Sequence, residues 1–204
     1  MAGKTVNPTR MELTRLKGRL KTARRGHKLL KDKRDELMKQ FLEIVRRNRQ
    51  LRAKVEQGLK EANDAFTVAS AVMGPEMLEQ SLLRPQRSVS LDVDARNIMS
   101  VNVPVFTFHT EGGEGSLLPY GFAQTSGELD AALEKMQAVF ADMLELAQVE
   151  KSMQLLAQDI EKTRRRVNAL EYVMIPETEK NIRYITMKLD ENERGNTIGE
   201  EHPL

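Results

Sequence analysis

Residues 13–72 read LTRLKGRLKTARRGHKLLKDKRDELMKQFLEIVRRNRQLRAKVEQGLKEANDAFTVASAV. Alternate steps of three and four pass through Leu13, Leu16, Leu20, Ala23, His27, Leu30, Arg34, Leu37, Phe41, Ile44, Asn48, Leu51, Val55, Gly58, Ala62, Ala65, Ala69 and Val72. Fourteen of these eighteen rungs are apolar. A seam that repeats every 3.5 residues belongs to a helix supercoiled against a partner.

The partner lies in the same chain. A second ladder runs through Leu129, Ala132, Met136, Val139, Met143, Leu146, Val149, Met153, Leu156, Ile160, Thr163, Val167, Leu170, Met174, Thr178, Ile182, Ile185 and Leu189. It slips twice. Two three-steps adjoin at Met143–Leu146–Val149, and two four-steps at Met174–Thr178–Ile182, so the supercoil is locally overwound and then unwound. Pro176 falls in the second slip. It removes the backbone bond to Tyr172 and predicts a kink.

The first helix is predicted over residues 7–73, with Asn7 as cap and Pro8 in the first turn; Thr9 with Glu12 is a competing capping box. Gly74-Pro75 ends it. The second helix is predicted over 126–193, opened by a Thr125/Glu128 capping box. Helices of matched length joined by a turn pair antiparallel. Parallel pairing would oblige the 74–125 segment to run back about 100 Å, well over half its extended reach. The fold class is therefore mainly α: a long antiparallel two-helix coiled coil, one structural unit, with a small middle region.

That middle region changes period. Ser88–Val93 alternates polar and apolar side chains, as does Val101–Phe108 with Pro104 inside it, which marks an edge strand. A β-hairpin over about 88–105 is expected, with residues 94–100 between the strands, then a flexible Glu111–Gly115 loop. Residues 194–204 lack periodicity and read as a disordered tail.

Composition supports a solvated rod. Aromatics are 4%, Trp and Cys are absent, and charged residues reach 30%, so apolar content follows seams rather than a deep core. Disulfides and thiolate metal sites are excluded, and a reducing compartment suits the chain. No apolar run approaches the ~20 residues of a membrane span. The net charge of +2 conceals an asymmetry: residues 1–60 carry +13 and residues 61–204 carry −11.

No motif carries chemistry. The three histidines, His27, His109 and His202, lack metal-ligand spacing. Glu111-Gly112-Gly113-Glu114-Gly115 has no Lys-Ser or Lys-Thr after it, and its carboxylates would repel a phosphate. Paired carboxylates such as Asp35-Glu36 read as a solvated face. Neither a cofactor nor a catalytic residue is expected. His27, Arg34 and Asn48 in the seam, with Pro176, read as devices that set register. The basic helix, Arg24, Arg25 and Lys28 included, could track a phosphate backbone as a nucleic-acid-binding or scaffold coiled coil. It lacks an aromatic platform or groove-reading module, and could instead face the acidic helix of its own hairpin.

Three separated motifs point further. Asn7–Leu13 with Arg25–Leu37, then Arg96–Pro104, then Lys162–Tyr172 with Ile175-Pro176, resemble in order the signatures of the D subunit of V-type ATPases and related ATP synthases. The resemblance covers about residues 7–194. It implies a non-catalytic rotor axle whose terminal helices insert into the ring of A and B subunits. Its middle region would bind the F subunit and connect through the C subunit to the membrane rotor ring, at the cytoplasmic face of the membrane, with no nucleic acid. On that reading Arg24, Arg25, Lys28, Arg164, Arg165 and Arg166 would bear on the ring, and Val89, Leu91, Val93, Ile98, Val101 and Val103 would dock the F subunit. The family's usual basic continuation of the second helix is missing here, where the chain turns to Gly195-Asn196 and Glu200–Leu204.

Overall fold

The computed structural model describes residues 6–83, 87–112, 120–121 and 125–200, the side chains of 196–200 excepted. Residues 113–115 of the expected loop, and His202, lie outside them. The elements in order are α1 (Arg10–Met73), α2 (Pro75–Leu82), β1 (Ser88–Ile98), β2 (Val101–Glu111), α3 (Gly127–Ala169), a π-helical turn (Leu170–Met174) and α4 (Ile175–Glu200). The chain divides into two compact units, Met1–Met38 with Asp159–Leu204, and Lys39–Gln158.

Local chemistry decides where the helices begin and end. The Thr9 hydroxyl accepts a bond from the Glu12 amide at 3.2 Å, so Thr9 caps α1 and the Asn7 start is displaced by three residues. The other half of the box does not form: the Thr9 amide bonds the Asn7 carbonyl, and the Glu12 carboxylate accepts from Arg15. The predicted Thr125/Glu128 box does not form. The Thr125 hydroxyl is committed to the Gly121 carbonyl at 2.9 Å, and α3 begins at Gly127. Gly74-Pro75 stops α1 as expected, but it also starts α2, which the middle-region reading lacks. Gly74 takes φ 83°, which favours a residue without Cβ, and Pro75 then occupies the first helical turn, where its missing N–H costs nothing. At the far end α4 continues to Glu200, past the predicted stop at Glu193. Extending a formed helix fixes one residue per hydrogen bond, and Gly195 and Gly199 cost only ~1 kcal/mol each.

In the first unit the partner numbers fall along α3 and α4 as they rise along α1. Arg10 pairs with Glu193, Arg24 with Glu179, His27 with Glu171 and Lys33 with Asp159. The pairing is antiparallel, as the sequence predicts. Leu16 and Leu37 of α1, with Ile160, Thr163, Val167, Thr178 and Ile185, are the buried rungs.

Pro176 does not simply break the helix. The turn before it widens, and the Ile175 amide reaches back five residues to the Leu170 carbonyl. One extra residue is absorbed in this π-turn. Met174, a rung of the ladder, is rotated out to 36% exposure, and the seam resumes at buried Thr178.

The second unit is also antiparallel: Asn48 meets Met153, Lys54 pairs with Asp142, and Gly58 faces Val139. Arg47 also pairs with Glu145 and Arg52 with Glu150. Its seam mixes small and larger residues, with Ala62, Ala69 and Ala132 buried beside Val55, Leu129, Val139, Val149 and Leu156. The first ladder slip shifts the buried position from Met153 to Ser152, whose hydroxyl is satisfied by the Gln148 carbonyl at 2.8 Å. β1 and β2 form an antiparallel hairpin in register Ile98↔Val101 to Ser88↔Glu111. The strands extend farther than predicted, and two residues join them instead of seven. Met99 and Ser100 both have positive φ, 50° and 73°. That tight turn is usually built from Asn or Gly. Here Asn97 supports it, accepting the Ser100 amide at 2.9 Å and donating to Asn102 at 2.9 Å.

Candidate interaction surfaces

Among the described residues no His/Cys/Asp/Glu group could hold a metal ion, and no helix is long and apolar enough to cross a membrane. The candidate residues are read from the sequence as contacts for partners, and their availability depends on what already occupies them.

The six basic candidates all lie in the first unit and are exposed. Two are engaged within the chain. Arg24 donates to Glu179 at 2.7 Å across the helix pair, and Arg165 donates to Glu161 one turn earlier on its own helix. Arg25, Lys28, Arg164 and Arg166 pair with no described residue. Arg164 and Arg166 flank Arg165 on the exposed side of α3, between buried Thr163 and Val167.

The register candidates divide as well. The His27 imidazole lies 3.2 Å from a Glu171 carboxylate oxygen, a contact across the seam beside the π-turn. Arg34 does not cross the seam; its guanidinium turns to Asp35 next door, at 2.7 and 2.9 Å. Asn48 reaches Met153 with its amide nitrogen, 3.9 Å from the sulfur, and leaves its carbonyl oxygen buried without a hydrogen bond. Asp159 has a similar environment. One buried carboxylate oxygen has no hydrogen-bond geometry, although the Lys33 ammonium lies 3.4 Å away, so the interaction is electrostatic.

The hairpin candidates must be narrowed. Val101 and Val103 are 8% and 2% exposed, so they anchor the hairpin and are not available to a partner. Ile98, beside the turn, is half-buried. Val89, Leu91 and Val93 remain open at 44%, 45% and 61%, on the same face as Phe108, which is opposite Leu91. Period-2 reading locates this apolar row but does not tell which face the helices cover. The hairpin is held to α3 by the Phe106 amide, which donates to the Gln148 side chain at 2.8 Å. A groove of about 500 Å³ opens between Val93, Pro104 and Phe106 of the hairpin and Lys151 and Leu155 of α3. At the start of α3, far from this groove, the Tyr120 hydroxyl donates to Asp130 in the first turn at 2.6 Å. Burial first, then the bond and charge of Asp130, raise the tyrosine above its ordinary range.

Electrostatics explain the basic half of the sequence. In the six cross-helix Arg or Lys pairs described above the cation is on α1 and the carboxylate on α3 or α4. Six of the eighteen Lys and Arg side chains of α1 are thus paired with carboxylates across the helix pair.

Sequence comparison adds an independent result. The family described as the D subunit of ATP synthase matches residues 12–199. The chain is 65% identical to the V-type ATP synthase D subunit of Acetivibrio thermocellus over 197 residues, covering 96% of this chain and 89% of the relative. It is 61% identical to the protein of that name from Clostridioides difficile (strain 630), covering 97% and 89%. For the Clostridium botulinum (strain Langeland) protein, also a V-type ATP synthase D subunit, the figures are 60%, 93% and 88%.

Proposed function

We propose, from the premise that this chain belongs to the ATP synthase D subunit family, that it is the central axle of a V-type ATP synthase. In this reading it carries torque between the A/B ring, where ATP is hydrolysed or made, and the ion-translocating membrane sector. It does no chemistry itself and needs no cofactor. It sits at the cytoplasmic face, with the F subunit on its hairpin and the C subunit linking it to the membrane ring.

The observation that carries this reading is the paired helix. α1 runs 64 residues without interruption and is matched antiparallel by α3 and α4 in the first unit and by α3 in the second. A shaft must resist splaying, and a continuous apolar seam supplies that resistance without a globular core. Burial of a Leu or Ile is worth ~1.5–3 kcal/mol, an upper figure where side chains stay half-buried. Its outer surface must exchange partners as it turns, so weak polar contacts, each worth ~0–1 kcal/mol, suit it better than deep anchors. Arg164 and Arg166, with Arg25 and Lys28, fit such a bearing surface because their charges pair with no described residue of the chain. Arg24 and Arg165 contribute less, being already paired.

The test is charge reversal. Arg164→Glu with Arg166→Glu should leave the fold intact, since both side chains are solvent-exposed, and should lower ATP turnover of the assembled complex severalfold. The same change at Arg165 should have a smaller effect. Wild-type turnover and assembly in the double variant would remove the bearing role. Failure of the chain to co-purify with two large nucleotide-binding subunits would remove the axle itself.

A further inference from the structure

The hairpin has two outer edges, and they are not equivalent. Counting outward from the two-residue turn, antiparallel pairing alternates between positions that exchange backbone bonds and positions whose N–H and C=O point away from the partner strand. Ile98↔Val101 is of the first kind, so Asn97↔Asn102, Ala95↔Pro104 and Val93↔Phe106 are of the second. Three observations agree. Pro104, which has no N–H, occupies an outward position. The Phe106 amide, also outward, donates to Gln148 instead of to β1. Asn97 and Asn102 bond side chain to side chain, as the closer spacing of such pairs allows.

The edge of β2 is therefore occupied by α3 and blunted by proline. The edge of β1 is neither. The backbone groups of Val89, Leu91, Val93, Ala95 and Asn97 point outward and meet no described residue, and every β1 residue but Ile98 is exposed. β1 carries no Pro and no Lys; its charged residues, Asp92, Asp94 and Arg96, lie on the face away from the apolar row and guard only that side of the edge. An open strand of eleven residues with an apolar row is a hazard unless something covers it.

We infer that the outer edge of β1 receives an extended strand from a partner protein of the complex, which makes the hairpin one side of an intermolecular sheet. The chemistry of that strand follows from β1. On one face it must place apolar side chains beside Val89, Leu91 and Val93. On the other it must place basic side chains beside Asp92 and Asp94; Asp92 is shared with His109 at 3.3 Å, and Asp94 has no described partner. A second copy of this chain fits less well, because antiparallel pairing centred on Val93 sets Asp92 against Asp94. The inference rests on the reading of the hairpin as the F subunit dock and adds how docking is achieved.

The test uses the full chain with the purified F subunit of the same ATPase. Ala95→Pro removes one outward donor without touching the bonds to β2, just as Pro104 does opposite it. Ala95→Ser keeps the donor. Protected amides at Val103 and Val105 would verify that each variant retains its hairpin. The expected result is at least a tenfold loss of affinity for Ala95→Pro, near wild-type affinity for Ala95→Ser, and slowed hydrogen exchange on binding at residues 89, 91, 93 and 95. If the F subunit binds both variants equally and those amides stay unprotected, strand addition is wrong. Deleting residues 88–111 then decides the underlying reading: lost binding keeps the dock, and retained binding removes it. Dimerisation of the isolated chain that Ala95→Pro abolishes would overturn the inference in favour of a second copy.

Discussion

At the scale of single residues, the seam is governed by size and by what polar groups find opposite them. Gly58 shows the first. It sits in the ladder where an apolar side chain is expected, and a Cβ there would overlap the Val139 methyl Cγ2. Valine is stiff about χ1, so the neighbour cannot swing away. Gly18 and Gly26, on the same helix, have nothing within 4 Å of an added Cβ. Replacing a helical glycine by alanine ordinarily stabilises by ~1 kcal/mol. Gly26→Ala should do so, whereas at Gly58 overpacking costing ~1–3 kcal/mol outweighs that gain. Urea unfolding should thus move in opposite directions for the two variants; equal shifts would mean the helices do not approach closely at Gly58. The sequence identifies Gly58 as a rung but not its fit, because a ladder records periodicity and not interhelical distance. It likewise places Asn48 in the seam, yet only packing reveals that its oxygen is buried without a hydrogen bond. Arg34 is legible as polar and in the seam, but not as turned aside to Asp35.

At the scale of elements, what is legible follows from how each signal arises. Long helices announce themselves through many repeated rungs, so their existence, pairing and antiparallel sense can be read directly. Ends rest on one or two bonds: Thr9 wins at one cap, and Thr125 is diverted at the other. The hairpin turn is hidden because Met99-Ser100 carries none of the usual turn chemistry, the support coming from Asn97 outside the turn. Pro176 reads as a kink, and the π-turn shows where the disturbance goes. From Leu170 to Thr178 the seam advances eight residues, one more than a heptad. The Thr178 hydroxyl bonds the Met174 carbonyl at 2.6 Å, a local adjustment of the same turn. Deleting Val173 together with Pro176→Ala removes the extra residue and restores a backbone donor. The segment should then close into unbroken α-helix with its heptad restored. Hydrogen exchange over 170–178 should slow by an order of magnitude or more, as each ~1.4 kcal/mol of local stability is tenfold. Exchange as fast as in the parent would show that the π-turn has another cause.

At the scale of the whole molecule, the charge distribution is the property that sequence and structure read differently. A +13 first segment and a −11 remainder look like two fields aimed at two kinds of partner. The folded chain turns them toward each other, with cations on α1 facing carboxylates on α3 and α4 in the first unit and on α3 in the second. These pairs are largely exposed, so each is worth ~0–1 kcal/mol and is screened by salt. They set sense and register more than stability, since a parallel arrangement would lose all of them together. This leads to two linked expectations. Raising sodium chloride from about 0.05 M to about 0.5 M shrinks the screening length well below 10 Å and should lower the melting midpoint by a few degrees, not abolish folding, because the apolar seams persist. In the same way a short DNA duplex should show no binding at about 0.15 M salt, since six cations of the basic helix are paired inside the chain and carboxylates line the helix facing it. Tight, salt-sensitive duplex binding would mean that the exposed arginines outweigh the internal pairs, and the nucleic-acid reading of α1 would have to be restored. A salt-independent midpoint would mean the cross-helix pairs contribute nothing measurable, leaving the antiparallel sense to the apolar seams alone.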